Sequence, residues 1–308
     1  MSEDRGKRSG RRGVAWLVVS SAAYSTYVVL VKVAIAAGVN TLTAMVLHFT
    51  VASLVWWIVL FVRRRPVWPG VRGAAQAMAL GCLVYATGSF AFYQGAAHTT
   101  ATITSLTFAV LPLTVAVLAW LILKERLGRL GKVALVIAVV GGIILTGGPE
   151  GQASTQGLLW LGATVLLMGF YFVFSTPLTR ALSPAIVTAY VLAGATIFFW
   201  LWGAASGGLD FELTRTGWLA VLGLALVPTV VGISALMTGV AILGATRSSI
   251  VSTLEPVLAV ILAVLILGER PSSMQVLGGA LVIAASALVH LDPVQSPAEP
   301  GSVPADRA

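Results

Sequence analysis

An acidic residue, Glu255, stands in the middle of a long apolar run, directly before Pro256. An ionised side chain at the centre of a bilayer costs about 2.5–3.5 kcal/mol, so an acid placed there needs a partner or a function. Two interpretations are equally open. Glu255 is either a carboxylate that faces a central cavity and exchanges a proton, or a protonated acid that bonds to a neighbouring helix as part of the packing.

Two basic groups, Lys32 and His48, lie within apolar runs near the start of the chain. A lysine near the end of a membrane span can extend its ammonium group to the interface, and this interpretation is as good as a binding or coupling role. Histidine changes its charge near neutral pH, but a lone histidine is more often a structural hydrogen-bond donor. Both residues are candidates for a substrate or coupling site.

Tyrosines form the more informative polar set. Tyr24 and Tyr27 share one face of the first apolar run, Tyr171 stands at the position equivalent to Tyr27 in the second half, Tyr85 is deep in the third run and Tyr93 is near its end. A buried phenol needs a hydrogen-bond partner. These rings are predicted to line a pocket with an apolar body and one hydrogen bond each, although packing tyrosines bonded to backbone are an equal alternative.

Two further pairs of residues occupy matching positions. Ser105 and Ser249 are candidates for a binding site, although small residues at such positions more often let helices pack closely. Pro112 and Pro256 each remove a backbone donor in mid-span, so we expect them to act as hinges.

Several classes of function are excluded. The sequence has no HExxH, no nucleophile elbow and no Walker A loop, so neither an enzyme site nor ATP-driven transport by this chain alone is expected. The single cysteine, Cys82, excludes an internal disulfide or a cysteine-based metal site, and no cofactor is predicted. The net charge of +8 does not indicate nucleic-acid binding, because the basic residues lie in short connectors.

The elements that position these residues are membrane spans. The 308 residues are 58% hydrophobic and 10% charged, whereas about 25% of a soluble domain is charged. The apolar runs are continuous, as in transmembrane helices, and do not alternate as the strands of a barrel do. We predict an all-α integral membrane protein with ten transmembrane helices, at about 14–37, 42–62, 74–94, 100–123, 133–146, 158–176, 186–205, 218–238, 248–267 and 276–291.

The chain is a duplicated half. The stretch from Gly95 to Arg126 matches the stretch from Gly239 to Arg270 without a gap, so that Pro112 falls on Pro256. Because each half contains an odd number of helices, the two copies are predicted to be inserted in opposite directions as inverted five-helix repeats. The repeats are expected at 14–148 and 155–291, between a basic cytoplasmic N-terminal segment at 1–13 and a disordered cytoplasmic tail at 292–308.

Orientation follows from the lysines and arginines of the connectors. Opposite connectors contain only Arg215 and Arg270, whereas the N-terminal segment and the connectors on its side contain most of the others: Arg5, Lys7, Arg8, Arg11, Arg12, Arg63, Arg64, Arg65, Arg72, Lys124, Arg126, Arg129 and Lys132. Both termini are therefore predicted to be cytoplasmic, in a multi-pass protein of the cytoplasmic membrane.

This duplicated layout resembles the drug/metabolite transporter superfamily, specifically its EamA-type branch. Leu111-Pro112, Glu255-Pro256 and the Glu-Arg pairs at 125–126 and 269–270 carry the resemblance, which covers about 13–291. The chain departs from the family in having His48 where Leu-Arg-Phe is frequent, and Leu111 opposite Glu255. Members typically export amino acids, metabolites or drugs, and the resemblance strengthens the functional interpretation of Lys32 because that position is often basic.

The function predicted is that of a secondary transporter, an exporter of small organic metabolites such as amino acids or related amphipathic solutes, working by alternating access. Its partners would be a small-molecule substrate, the lipid bilayer and, if Glu255 titrates, protons as the coupling ion. The alternative is a polytopic membrane enzyme or scaffold that acts on lipid. It is disfavoured because the basic connectors lack the accompanying histidines and acids.

Overall fold

A computed structural model of the protein describes residues 2–64, 68–122, 129–146, 154–243, 251–252 and 254–291, and in these ranges the regular structure is helical. The helices are α1 (Ser2–Ala36), α2 (Thr41–Val62), α3 (Gly70–Ala97), α4 (Ala101–Ile122), α5 (Arg129–Thr146), α6 (Thr155–Ala181), α7 (Pro184–Ser206), α8 (215–243), α9 (Leu254–Leu267) and α10 (Ser273–Leu291). The prediction of an all-α membrane protein with ten spans in two repeats is confirmed.

Seven of the helices are long and apolar enough to cross a membrane, namely α1 to α4 and α6 to α8. Helices α9 and α10 are shorter apolar helices, and α5 has 18 residues. Side chains on the outer surface of the bundle are apolar: Leu54, Phe61 and Leu265 are 59%, 63% and 74% exposed. These exposed surfaces are suited to contact with lipid tails.

Short polar side chains set the beginnings of several helices. In each case the side-chain oxygen of the residue before the helix accepts a hydrogen bond from a backbone N–H of the first turn, which satisfies a donor without an intrahelical partner. The capping residues are Asn40 for α2, Thr100 for α4, Ser154 for α6, Ser183 for α7 and Thr214 for α8.

Three irregularities interrupt the spans. Helix α4 is broken at Ala109 and Val110, immediately before Pro112. The Oγ of Ser286 in α10 donates to the Ala109 carbonyl at 2.5 Å, so an acceptor at this break is satisfied by another helix. Helices α3 and α8 contain π-helical stretches at Gly81–Tyr85 and Ala225–Gly232, which begin at equivalent positions of the two repeats.

Equivalent helices of the two halves have equivalent packing partners. Helix α1 packs against α8 and α9, and its counterpart α6 packs against α3 and α4. The equivalent helices α2 and α7 pair with each other, as do α5 and α10. This exchange of partners is what a pseudo-two-fold axis between the repeats produces, and such an axis lies in the membrane plane when the repeats are inverted.

Matching close approaches extend this symmetry to single residues. A Cβ atom added to Gly95 of α3 would lie 2.5 Å from the Leu161 side chain of α6, and one added to Gly239 of α8 would lie 2.5 Å from the Leu17 side chain of α1. The offset that relates Gly95 to Gly239 also relates Leu17 to Leu161. Both contacts require glycine, because a β-carbon does not fit at that separation.

Candidate functional site

Aromatic rings from both repeats form a continuous cluster inside the bundle. The centroids of Tyr85 and Tyr171, which belong to different repeats, are 4.9 Å apart, and those of Tyr27 and His48 are 5.9 Å apart. Neighbouring rings in the chain of contacts lie 4.6–5.9 Å apart. We call this set the aromatic cluster; its members are Tyr27, His48, Phe49, Tyr85, Phe92, Phe108 and Tyr171.

The structure brings four of the candidate tyrosines close to one another. Tyr24, Tyr27, Tyr85 and Tyr171 are each half-buried, and Tyr24 lies within electrostatic range of both Tyr85 and Tyr171. Among the described residues, no hydrogen-bond partner is found for these four hydroxyl groups. Partly exposed phenols in the middle of a helical bundle are typical of the lining of an internal space, where water or a solute supplies the missing bond.

Tyr93 is placed differently. Its side chain is 0% exposed, and within the described part of the chain its hydroxyl group has no partner. It interacts electrostatically with Tyr27. Tyr93 is therefore buried beside the aromatic cluster, one turn before α3 ends at Ala97.

Glu255 lies beside the aromatic cluster. It is in the first turn of the described part of α9, is partly exposed, and lies within electrostatic range of Tyr24 in α1. Helix α1 belongs to the first repeat and α9 to the second. The carboxylate therefore stands at the boundary between the halves, near the phenol of Tyr24, which is able to donate a hydrogen bond to it.

His48 joins α2 to α8. The side chain is 2% exposed, and its Nε2 lies 2.9 Å from the Oγ1 of Thr229, which is in the π-helical stretch of α8. The ring stacks on Phe49 with centroids 4.6 Å apart. Nδ1 is buried, and the described residues offer it no partner.

Lys32 is not part of the aromatic cluster. Its ammonium group donates a hydrogen bond to the carbonyl of Thr99, between α3 and α4, and interacts electrostatically with Glu269. Lys32 is partly exposed, and the Thr99 carbonyl that accepts this hydrogen bond lies at the end of the bundle, where α3 ends and α4 begins.

Glu269 caps α4 from the other repeat. Its carboxylate accepts hydrogen bonds from the backbone N–H groups of Ala101 and Thr102 at 2.6 and 2.9 Å, and from the Thr102 hydroxyl at 2.7 Å. An anion at a helix N-terminus is favoured by the free N–H groups and the helix dipole. We call Lys32, Thr99, Thr102 and Glu269 the capping cluster; a pocket of about 130 Å³ borders it.

The remaining candidates have separate locations. Ser105 is buried and donates to the Ala101 carbonyl of its own helix at 2.8 Å. Ser249 lies outside the described residues. Pro112 is at the break in α4, and Pro256 is in the first turn of the described part of α9.

Four contributors to the aromatic cluster were missed by the sequence analysis. Phe49, Phe92 and Phe108 complete the cluster, and Thr229 holds His48. Phenylalanines in an apolar span give no distinguishing signal. Thr229 follows Pro228, and a hydroxyl residue next to a proline in mid-span was the one available indication.

The comparisons with known proteins agree with one another. The sequence pattern of the EamA-like transporter family matches the chain twice, at residues 11–147 and 155–291. A solved crystal structure with 17% sequence identity has the same fold, with a TM-score of 0.64 over 91% of this chain and 96% of that one.

Curated relatives are transporters by name. "Uncharacterized transporter YdfC" of Bacillus subtilis (strain 168) is 25% identical over 66% of this chain and 68% of its own. "Uncharacterized transporter YcbK" of the same organism is 22% identical over 90% and 92%. A "Probable terminal-alkyne amino-acid exporter" of Streptantibioticus cattleyicolor is 27% identical over 71% and 75%.

Proposed function

The chain belongs to the EamA-like transporter family, and we propose that it is a secondary transporter that exports small organic metabolites across the cytoplasmic membrane. Amino acids or related amphipathic solutes are the proposed cargo. The observation that carries the proposal is the row of half-buried phenols at the boundary between the two repeats, beside Glu255. The similarity to a relative named as an amino-acid exporter supports the same cargo class.

Alternating access is the proposed mechanism. The site is shared between repeats, since Tyr85 contacts Tyr171 across the boundary and His48 bonds to Thr229. Relative motion of two inverted halves exposes such a site first to one side of the membrane and then to the other. We propose that Pro112 and Pro256, each in mid-span, let α4 and α9 bend during this motion.

The proposed orientation places both termini in the cytoplasm, on the side of the basic connectors. With this orientation the capping cluster faces the exterior, because α1 and α3 end there and α4 begins there. Proton coupling through Glu255 completes the proposal: the carboxylate would carry a proton inward as solute leaves.

Transport in sealed proteoliposomes tests this function. The purified protein is reconstituted with a panel of radiolabelled amino acids inside, and efflux and counterflow are measured against empty liposomes. We expect protein-dependent flux of at least one amino acid that saturates with its concentration. If no member of the panel moves, while a labelled phospholipid is modified or moved, the alternative of a protein that acts on lipid is correct.

A further inference from the structure

We propose that His48 contacts the solute directly, through an Nδ1 lone pair that accepts a hydrogen bond from an N–H group of the solute, and that Thr229 positions it. The inference rests on the proposed transport function and assigns a specificity-determining residue to that site. Its basis is the two hydrogen bonds of the Thr229 hydroxyl oxygen.

We assign the tautomer of His48 from the hydrogen bonds of Thr229, with the single hydroxyl proton directed to the carbonyl of Leu224 and not to the imidazole. A hydroxyl group has one proton, and Thr229 Oγ1 donates it to the carbonyl of Leu224 at 3.0 Å. Toward His48 Nε2, 2.9 Å away, the same oxygen is then an acceptor. Nε2 therefore carries a hydrogen, and in the neutral ring Nδ1 is left as a bare acceptor.

Nδ1 is then a buried hydrogen-bond acceptor, and it has no partner among the described residues. No described residue donates to Nδ1, although the side chain is only 2% exposed. Buried acceptors are almost always satisfied, because leaving one unpaired forfeits the bonds it would make with water. A donor from outside the protein removes this penalty, so binding of such a donor is favoured here over binding of an isostere that lacks it.

The surroundings indicate the rest of the solute. The imidazole stacks on Phe49 and faces Tyr27 at centroid distances of 4.6 and 5.9 Å, inside the aromatic cluster. Among the described residues, His48 belongs to no group of histidines, cysteines or acids that would hold a metal ion. The matching ligand is a small solute with an apolar body for the rings and an amine N–H for Nδ1.

Substitutions at two positions test the contributions of the two nitrogens of His48. His48→Phe keeps an aromatic ring for the stack on Phe49 but has neither ring nitrogen. Thr229→Val removes the oxygen that fixes the tautomer, and Thr229→Ser keeps that oxygen and is the matched control. The probes are benzylamine and benzyltrimethylammonium, which share ring and charge, whereas only benzylamine has N–H donors.

Binding of both probes to the protein in nanodiscs gives the first measurement. Wild type should prefer benzylamine, and His48→Phe should weaken benzylamine binding about tenfold while changing benzyltrimethylammonium binding less than about twofold. Thr229→Val should reduce the preference, and Thr229→Ser should keep it. Equal losses for both probes would make His48 structural, and an unchanged preference or absence of benzylamine binding to wild type would also overturn the inference.

The ¹⁵N chemical shifts of the imidazole give a second measurement. A histidine with only a structural role would not change its Nδ1 shift when the probe binds. The chain has 3 histidines, so a sample labelled with ¹⁵N-histidine gives few imidazole signals, and those of His48 are identified by their loss in His48→Phe. We expect protonated Nε2 and bare Nδ1, with the Nδ1 signal shifting on saturation with benzylamine. A protonated Nδ1, or no shift, refutes the inference. Flux of amino acids through wild type is measured separately, so failure of the proposed function is recognised independently.

Discussion

At the scale of single residues, Glu255 is the group at the edge of the aromatic cluster that we expect to couple transport to protons. It lies within electrostatic range of Tyr24, at the boundary between α1 and α9. Glu255→Gln keeps the size and the hydrogen bonding of the side chain but cannot release a proton. In vesicles with an imposed pH gradient, the variant should lose gradient-driven accumulation and retain exchange.

Two results would contradict this role of Glu255. If wild type ignores the pH gradient, the protein is a facilitator; if the variant follows the gradient as wild type does, the carboxylate is structural. Glu212→Gln is the matched control, because Glu212 is an exposed acid outside the spans.

The sequence predicted part of the candidate site. Deep tyrosines were identifiable because a phenol far from the interface requires an explanation, and Tyr24, Tyr27, Tyr85 and Tyr171 are indeed close together. The role of Lys32 was not predictable. Its partners Thr99 and Glu269 come from connectors far apart in sequence, and only the packing of α1 against the other repeat brings them to it.

At the scale of helices, Glu269 joins the two repeats at one end of the bundle. Its carboxylate accepts three hydrogen bonds from the N-terminus of α4. A glutamine has one acceptor oxygen, so Glu269→Gln leaves at least one of these donors unpaired and removes the negative charge near Lys32. We expect a loss of about 1–3 kcal/mol in the free energy of unfolding, visible as a lower melting temperature in detergent.

The same substitution should also favour opening at that end of the bundle. A cysteine introduced at Thr100, which borders the pocket beside Glu269, should react faster with a water-soluble maleimide in Glu269→Gln than in wild type. Glu212→Gln again provides the control with the same chemical change. Equal labelling rates and melting temperatures would mean that the cap contributes to neither stability nor closure.

The helices could be predicted from the sequence, but the irregular stretches within them could not. Continuous apolar runs identified the spans, because the bilayer requires every backbone group to be satisfied within its own helix. The π-helical stretch of α8 contains Pro228, which accounts for an interruption there. The equivalent stretch of α3 contains no proline, so a proline is not required for a π-helical stretch at this position.

At the scale of the whole molecule, inversion of the repeats has a direct topological consequence. A reporter fused after Gly151 follows five spans and one fused after Arg65 follows two. With the N-terminus in the cytoplasm, we expect the first reporter to be external and the second cytoplasmic. Alkaline phosphatase and a fluorescent protein, used at both positions, check the result; reporters on the same side would exclude inverted repeats.

The symmetry itself predicts which substitutions compensate each other. Gly95→Ala places a methyl group on Leu161, and Gly239→Ala places one on Leu17. Each should cost about 1–3 kcal/mol of stability, because a packed contact has no room for added carbon. Shortening the opposing leucine provides that room, so Leu161→Ala should cost less in the Gly95→Ala background than in wild type, and Leu17→Ala likewise in Gly239→Ala.

Crossed combinations are the control for this prediction. Gly95→Ala combined with Leu17→Ala changes one residue of each contact. The stability losses of substitutions at distant sites are additive. Melting temperatures of the four double variants and four single variants give both coupling energies. We expect coupling of about 0.5–3 kcal/mol in each matched pair and almost none in the crossed pairs. Similar coupling in all four pairs would show that the two glycine contacts are not independent copies.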